Sequence, residues 1–588
     1  MDHSKRKFLK GAAIAGGTGL FVAGYSDTLK QVATGLATGS SGKPTRDPIH
    51  GNSLAVEYRV DEQGALHPNP AQRVANTMCL GCWTLCGVRA RIDNERDQIV
   101  RILGNPYHPL SARHHIDFKI PVKQALLATS GYQEGGLDGR STACARGNAM
   151  LEQLDSPQRV TRCLKRVGPR GSGRWQSIPF EQLVAEVVEG GDLFGEGQVD
   201  GLRAIRNLAE PLDPAVLPLV VSIDSFINES SALSDYLVPD TLTYESWGWA
   251  TAWHGVMTKV STGRWPIVEP RVAKTAEGDP VCMESFFTAV AKRLGLPGFG
   301  EGALKGADGK LHGMNRAADF SLYGAANVAY LGEPVPAIGL EDLAWSGVER
   351  ILPVLNATLS PEEASRAAYL FARGGRFEPA AKGRDDAGQP SKRWPKPLMV
   401  WNPEVGSRRH SQSGQYLSGT PRFFRPQLAD GTPLNEAFKP AQWPLLLTSY
   451  KSHTISSMSI GSDRLRQVNP SNRVRLNEQT AAQLGIESGD RVRVSTPDGS
   501  VIGVAECVAG VQADAIAIEH GFGHKELGAR EHWIDGQKVV ANPLRGAGVN
   551  LNDLAVLDPS RHGRYPLVDW AIGSSARQGL PARVEKLV

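Results

Sequence analysis

Residues 474–507 decide the fold: Val474-Arg475-Leu476-Asn477, then Glu478 to Leu484, then Gly485-Ile486-Glu487-Ser488-Gly489-Asp490, then Arg491-Val492-Arg493-Val494-Ser495 and, beyond Pro497-Asp498-Gly499, Val501 to Cys507. The order is strand, helix, glycine turn, strand, tight turn, strand. Apolar residues alternate with polar ones in the strands, so one face of each turns to a core and the other to water. Pro497-Asp498-Gly499 is a hairpin turn, which pairs the last two strands antiparallel. Upstream, Trp443 to Tyr450 is a buried strand leading into Lys451-Ser452-His453-Thr454. Downstream, the stretches around His520-Gly521 and Gly548-Val549-Asn550-Leu551-Asn552 are loops. Their glycines admit backbone N–H groups close to a ring or phosphate, and Asn offers both donor and acceptor. His520 and His524 are four apart, but the glycines between them argue against a helix and so against a metal pair.

The whole chain has 588 residues, enough for about four domains. Lys plus Arg is 65 and Asp plus Glu is 61, a balance that gives no basis for a nucleic-acid partner. No run of eighteen apolar residues reads as a membrane span. Seven cysteines are too few for a disulfide scaffold. At the N-terminus, Ser4-Lys5-Arg6-Lys7-Phe8-Leu9-Lys10 is a basic head followed by a weakly apolar stretch to Tyr25. That is the order of an export signal. It is similar to a twin-arginine signal with Lys5 in place of the first arginine. Residues 1–26 are therefore expected to be the signal, and 27–70 a linker and extension.

Four cysteines are organised. Cys79-Leu80-Gly81-Cys82-Trp83-Thr84-Leu85-Cys86 gives C-x2-C-x3-C, and Cys144 follows 57 residues later. Three thiolates within eight residues wrap one metal centre if the backbone turns tightly, and Gly81 and Gly87 supply that freedom. Four thiolates suit a [4Fe–4S] cluster, one per iron. A four-cysteine zinc site and disulfides are the alternatives. Val88–Ile92 and Gln98–Gly104 read as paired strands, and Phe180 to Glu189 as a helix with Leu183, Val184, Val187 and Val188 on one face. Cys163, Cys282 and Cys507 sit among apolar residues and read as small core side chains.

The cysteine spacing, the two strands ending in Gly104-Asn105-Pro106, and Cys144-Ala145-Arg146-Gly147 resemble the N-terminal domain of the molybdopterin oxidoreductases. Residues 474–507 resemble the barrel that binds molybdopterin dinucleotide in that superfamily. The resemblance implies an α/β protein with a small Fe–S β-domain over 71–165, central α/β layers over 166–440 and the barrel over 441–588. It implies a [4Fe–4S] cluster on Cys79, Cys82, Cys86 and Cys144, with Arg146 as electron relay between cluster and pterin. It also implies a molybdenum bis(molybdopterin guanine dinucleotide) cofactor near Asp224, Ser230, Lys451, Ser452, His453, Thr454, His520, Gly521, Asn550 and Asn552.

Around Pro211–Pro218 the resemblance jumps. Leu217 to Pro239 looks like a segment hundreds of residues further along in relatives, a buried parallel strand and a pterin-contacting loop. Most of two α/β domains, with the molybdenum ligand, is missing between, and apolar faces and sheet edges are expected to be exposed. From Asp224 onward the chain is similar to the catalytic subunits of tetrathionate reductases, on Glu245-Ser246-Trp247-Gly248, Gly263-Arg264-Trp265-Pro266 and Arg373-Gly374-Gly375-Arg376-Phe377. This implies reduction of tetrathionate to thiosulfate, with Arg264, Arg373 and Arg376 as cations for the dianion. The implied partners are a quinol-oxidising membrane anchor at the periplasmic face and an iron–sulfur electron-transfer subunit. The missing ligand region implies the alternative of a non-catalytic remnant that holds the cluster and at most one pterin.

Overall fold

The computed structural model describes residues 57–112, 114–130, 141–204, 217–251, 255–306, 309–391, 400–410, 414–568 and 574–587. The signal expected over 1–26 lies outside them, as do residues 205–216, which hold most of the jump. Near the N-terminus, β1 (Gln72–Met78), β2 (Gly87–Asp93) and β3 (Gln98–Gly104) form an antiparallel meander. β2 is buried along nearly its whole length because both of its edges are paired and both faces covered. Its Val88, Ala90 and Ile92 join a core with Trp265, Ile267 and helical residues from the second half of the chain, among them Leu322, Leu355 and Phe371. The core thus draws on residues from both sides of the jump.

A second sheet contains β4 (Leu164–Arg166) and β5 (Arg174–Ser177) from before the jump. The helix α1 (Phe180–Glu189) packs on it through Leu183, Val184, Val187 and Val188, as its periodicity predicts. After the jump come β6 (Val221–Asp224) and β7 (Tyr236–Pro239), parallel to each other, and then α2 (Met283–Leu294), which packs its Phe286 and Val290 into the same core. β7 pairs with β4 across the jump. Asp235, fully buried, ties this region together: it binds Arg166 at 2.7 Å, Arg170 at 2.6 Å and the Val220 amide at 2.8 Å. The sequence predicts a buried strand over 217–223. The observed strand is shorter, begins at Val221 and is only half-buried, because among the described residues it lies at the sheet edge with one side unpaired.

The C-terminal unit contains β8 (Leu445–Tyr450), β9 (Val474–Asn477), α3 (Glu478–Gln483), β10 (Arg491–Ser495), β11 (Ser500–Val508) and β12 (Ala515–Glu519). A hairpin, β13 (His532–Ile534) and β14 (Gln537–Val539), follows, and then β15 (Leu580–Lys586). The closed barrel has the order β8-β12-β9-β11-β10-β15. Val474, Leu476, Val492, Val494, Ile516 and Ile518 fill it, the inward half of each alternating pattern. β13 and β14 leave the barrel. β13 runs parallel to β5 and completes the second sheet in the order β6-β7-β4-β5-β13-β14.

Candidate functional site

The four cysteines converge at the end of β1. The Cys79 amide donates to the Cys86 carbonyl at 2.8 Å and closes the loop between them. Leu85, not a glycine, takes the left-handed conformation there (φ 58°). Gly81 and Gly87 keep ordinary φ values, so the flexibility expected of them is not what the loop uses. They are needed for close approach: a Cβ on Gly87 would stand 2.7 Å from the His108 ring, and one on Gly81 3.3 Å from Arg146 Cγ. Cys144 arrives as the N-cap of a one-turn helix, Ala145–Ala149, and its sulfur accepts from the Gly147 amide at 3.4 Å. Cys79 Sγ accepts from the Gly81 amide at 3.3 Å. Gly147 lies beneath both sulfurs, since a Cβ there would be 3.4 Å from Cys79 Sγ and 3.9 Å from Cys144 Sγ.

All four thiols are free. Burial pushes Cys79 up to about 11, helped by Cys144 and Cys82. Burial likewise pushes Cys86 up to about 12, with the other three thiols adding to it. Cys82 is the exception: burial raises it, but Thr84 and the Arg146 guanidinium outweigh that and hold it below its usual value. Crowded sulfurs of this kind become thiolates together only around a cationic centre. A tetrahedral zinc site with 2.3 Å bonds would bring sulfurs to ~3.8 Å of one another. Among the described residues the one trio of donors mutually within 4.8 Å is Asp240, Cys282 and Glu284. No three of the cysteine sulfurs form such a trio among the described residues. The Asp240 trio has a simpler account: Asp240 accepts from the Met283 amide at 3.1 Å and caps α2, whose positive end disfavours a cation.

A loop of the barrel lies against the cysteines. Arg146 Nη2 donates to the Ser452 carbonyl. Ser456 Oγ donates to the Gly81 carbonyl at 2.6 Å, and Ser462 Oγ to the Ala149 carbonyl at 3.2 Å. Ser452 and Thr454 hydroxyls bond each other at 2.8 Å, while Lys451 and His453 are exposed. The His520 amide donates to the Tyr450 carbonyl at 3.1 Å, which puts the 520 loop beside the 451 loop. A Cβ on Gly523 would be 2.4 Å from the Asn550 amide, so the 520 and 550 loops touch backbone to backbone. Asn472 staples them, donating to the Glu519 and Val549 carbonyls at 2.7 and 3.0 Å. Asn550 caps the turn that follows by accepting from the Asn552 amide at 2.9 Å, and Asn552 is exposed.

From the other side of the jump, the loop after β6 reaches this region through Glu229. Asp224 ends β6, accepts from the Phe226 amide at 3.1 Å, and is pushed up by burial. Ser230 is exposed on the next loop, and its neighbour Glu229 binds His524 Nδ1 at 3.0 Å. Buried polar atoms left without a partner cluster here: Arg146 Nε, Arg466 Nε and Nη1, Glu519 Oε1, His520 Nε2 and His524 Nε2. Native proteins rarely leave such atoms unpaired, so the cluster fits a polar ligand rich in donors and acceptors. Arg466, fully buried and stacked over Phe522 at 4.6 Å, is lowered to about 10 by burial and by Arg545. His520 is lowered by burial and by Lys451, Arg577, Arg146 and His524. Arg466, Asn472 and Glu229 are not identified as site residues in the sequence, because their partners are loops distant along the chain.

The arginines expected to meet the dianion do not form one site. Arg373 is fully buried, pairs with Asp342 at 2.7 Å, stacks on Tyr369 and donates to the carbonyls of Phe118, Tyr369 and Ile120. It braces the core and is not a substrate cation. Arg376 is spent on the carbonyls of Val328, Ala329 and Glu333. Arg264 is half-buried and bonds the Trp247 carbonyl at 3.1 Å.

Comparison with known proteins agrees with the barrel. The family model of the molydopterin dinucleotide binding domain matches residues 446–563, from β8 to beyond the 550 loop. A tetrathionate reductase subunit of Salmonella typhimurium is 27% identical over 1026 aligned positions, covering 99% of this chain and 100% of that protein. With 588 residues here, at least 438 of those positions have no counterpart in the chain. A selenate reductase subunit of Mesobacillus selenatarsenatis is 29% identical over 391 residues, 60% of this chain and 35% of its own length. A tetrathionate reductase subunit of Archaeoglobus fulgidus is 30% identical over 370 residues, 58% of this chain and 32% of its own length.

Proposed function

We infer, from the premise that the chain belongs to the molybdopterin oxidoreductases, that it is the catalytic subunit of a respiratory reductase that converts tetrathionate to thiosulfate. In this reading Cys79, Cys82, Cys86 and Cys144 hold a [4Fe–4S] cluster. The 451–454, 520–524 and 550–552 loops, with Asp224 and Ser230, hold a molybdenum bis(molybdopterin guanine dinucleotide). When bound, that cofactor supplies the two-electron chemistry that splits the central S–S bond of tetrathionate into two thiosulfates. The chain's own residues bind and orient. Arg146 joins the cluster side to the barrel side, and the unpaired buried atoms of Arg466, Glu519, His520 and His524 offer donors and acceptors to the dinucleotide. His520, lowered by burial and its cationic neighbours, stays neutral and can accept a hydrogen bond. Exposed Lys451 and Arg577 beside it are the cations available to a dianion.

The single observation that carries this reading is the Arg146–Ser452 contact, which links the four-cysteine loop to the dinucleotide-binding barrel. Electrons would come from a quinol-oxidising membrane partner through an iron–sulfur partner, on the periplasmic side after twin-arginine export. Among the described residues no helix is long and apolar enough to cross a membrane.

A second reading has its own support in the aligned positions without a counterpart here. A chain without the molybdenum-ligating region would be a remnant that holds the cluster and one pterin. Cys163 is buried in the apolar core beneath α1 and α2, and Cys282 is buried at the start of α2. Iron and molybdenum counted together in anaerobically purified chain separate the two. About four iron and one molybdenum per chain, with viologen-linked tetrathionate reduction, supports the reductase. Iron without molybdenum or turnover supports the remnant, and Cys79→Ser removes the iron in either case.

A further inference from the structure

Tyr244 belongs to no motif, and it lies on the far side of the jump from the cysteines. It sits on a short turn, Thr243–Glu245, that is held from several directions. Glu245 pairs with the equally buried Arg159 and accepts from the Leu242 and Arg271 amides at 3.1 and 2.8 Å. The Ile267 amide donates to the Tyr244 carbonyl at 3.0 Å. The ring is fully buried in the core that contains Cys79, Met150 and Trp265. Its hydroxyl is buried too, and makes no well-formed hydrogen bond among the described residues. What the hydroxyl faces is the Cys79 thiol, with Cys144 within electrostatic reach.

A phenol O–H shut in an apolar core needs an acceptor. A neutral thiol is a weak one, and a metal-bound thiolate is a strong one. We propose that the Tyr244 hydroxyl donates a hydrogen bond to the Cys79 sulfur when that sulfur is a cluster thiolate, and that this bond raises the cluster's reduction potential. The proposal rests on the reading of the four cysteines as cluster ligands. One-electron reduction adds a negative charge that spreads onto the sulfurs, so a donor at Cys79 stabilises the reduced form more than the oxidised form. The electron comes from the external reductant, no bond breaks, and the proton stays on the phenol oxygen. The Gly81 and Gly147 amides also donate to the Cys79 and Cys144 sulfurs, but they are backbone groups, and Thr84 and Arg146 act on Cys82, so at Cys79 Tyr244 is the side chain through which the potential can be set. It is a positioning residue for electron transfer.

The test is a dithionite titration of the anaerobically purified full chain, followed by the electron paramagnetic resonance of the reduced cluster. Tyr244→Phe keeps the ring and removes the donor. It is expected to hold the same iron and to be about tenfold harder to reduce, about 59 mV more negative for one electron. Replacing Tyr244 by 3-fluorotyrosine, a stronger donor, is expected to shift the potential the other way. An unchanged potential in Tyr244→Phe with the cluster present overturns the proposal. Should Tyr244→Phe fail to hold the cluster, the fluorinated chain decides: a positive shift supports the bond, and no shift overturns it. A wild-type chain without iron refutes the cluster reading instead, a result that the iron count distinguishes.

Discussion

The barrel and the six-stranded sheet are built from the same kinds of strand yet close in different ways. The barrel takes all its strands from one stretch, Leu445 to Lys586, and returns β15 to β8 and β10, so no barrel edge is left open. The sheet collects strands from three stretches and ends at β6 on one side and β14 on the other. In the barrel, alternating apolar residues do the joining. In the sheet, a buried carboxylate, Asp235, holds two arginines and an amide on either side of the jump. Within the single stretch of the barrel an apolar core joins the strands. Across the jump, this protein adds directional bonds from a buried carboxylate.

That contrast can be broken. The largest effect is expected from Asp235→Ala, which leaves the Arg166 and Arg170 guanidiniums without their shared partner. Losing one member of a buried ion network costs about 3–5 kcal/mol. Urea unfolding with hydrogen exchange should show the β4, β6 and β7 amides exchanging early while the barrel amides stay protected. Equal loss of protection in the barrel would mean that the two regions are one cooperative unit. The converse change, Leu476→Ala, empties the barrel core and is expected to cost about 2–5 kcal/mol, with β8 to β12 losing protection first.

Glu229 sharpens the comparison, because its bond to His524 joins the loop after β6 to the barrel. Burial opposes its ionisation, but His524 and backbone amides outweigh this and hold it to about 2, below the ordinary 4.5. Its stabilisation is therefore complete above pH 4.5 and is lost as the pH falls through about 2. Glu229→Gln should flatten the fall of the urea midpoint between those limits, and an unchanged slope would show that the latch carries no stability. The smallest effect is expected at Arg493–Glu585, an exposed pair on the barrel wall. Arg493→Ala should change stability by less than about 1 kcal/mol, measured by thermal unfolding.

How much can be read from the residues follows the same division. β9 to β11 are legible because strand, helix, turn and hairpin follow one another within 474–508. The cysteine loop is legible because three of four ligands share eight residues. The strand over 217–223 is legible as a strand but not as an edge, since its missing neighbour leaves no mark on its own residues. Arg373 looks like a surface cation beside glycines, and only Asp342 and the Phe118 carbonyl, distant in sequence, make it a core brace. Tyr244 carries no local signal, because what matters is the sulfur it faces.

The pairing of β13 with β5 also imposes a timetable on synthesis. Ser177 donates its amide and hydroxyl to Asp535, 358 residues later. At ribosomal speeds of roughly 5–20 residues per second that gap takes about 20–70 s to make. Throughout that interval the outer edge of β5 has been translated and its partner has not. Nascent chains therefore pass through a period in which this edge is open to other chains, and anything that shields it then, a chaperone or slow translation of the C-terminal third, acts on yield and not on the stability of the finished protein. A message cut short before Asp535 would leave every product in that state.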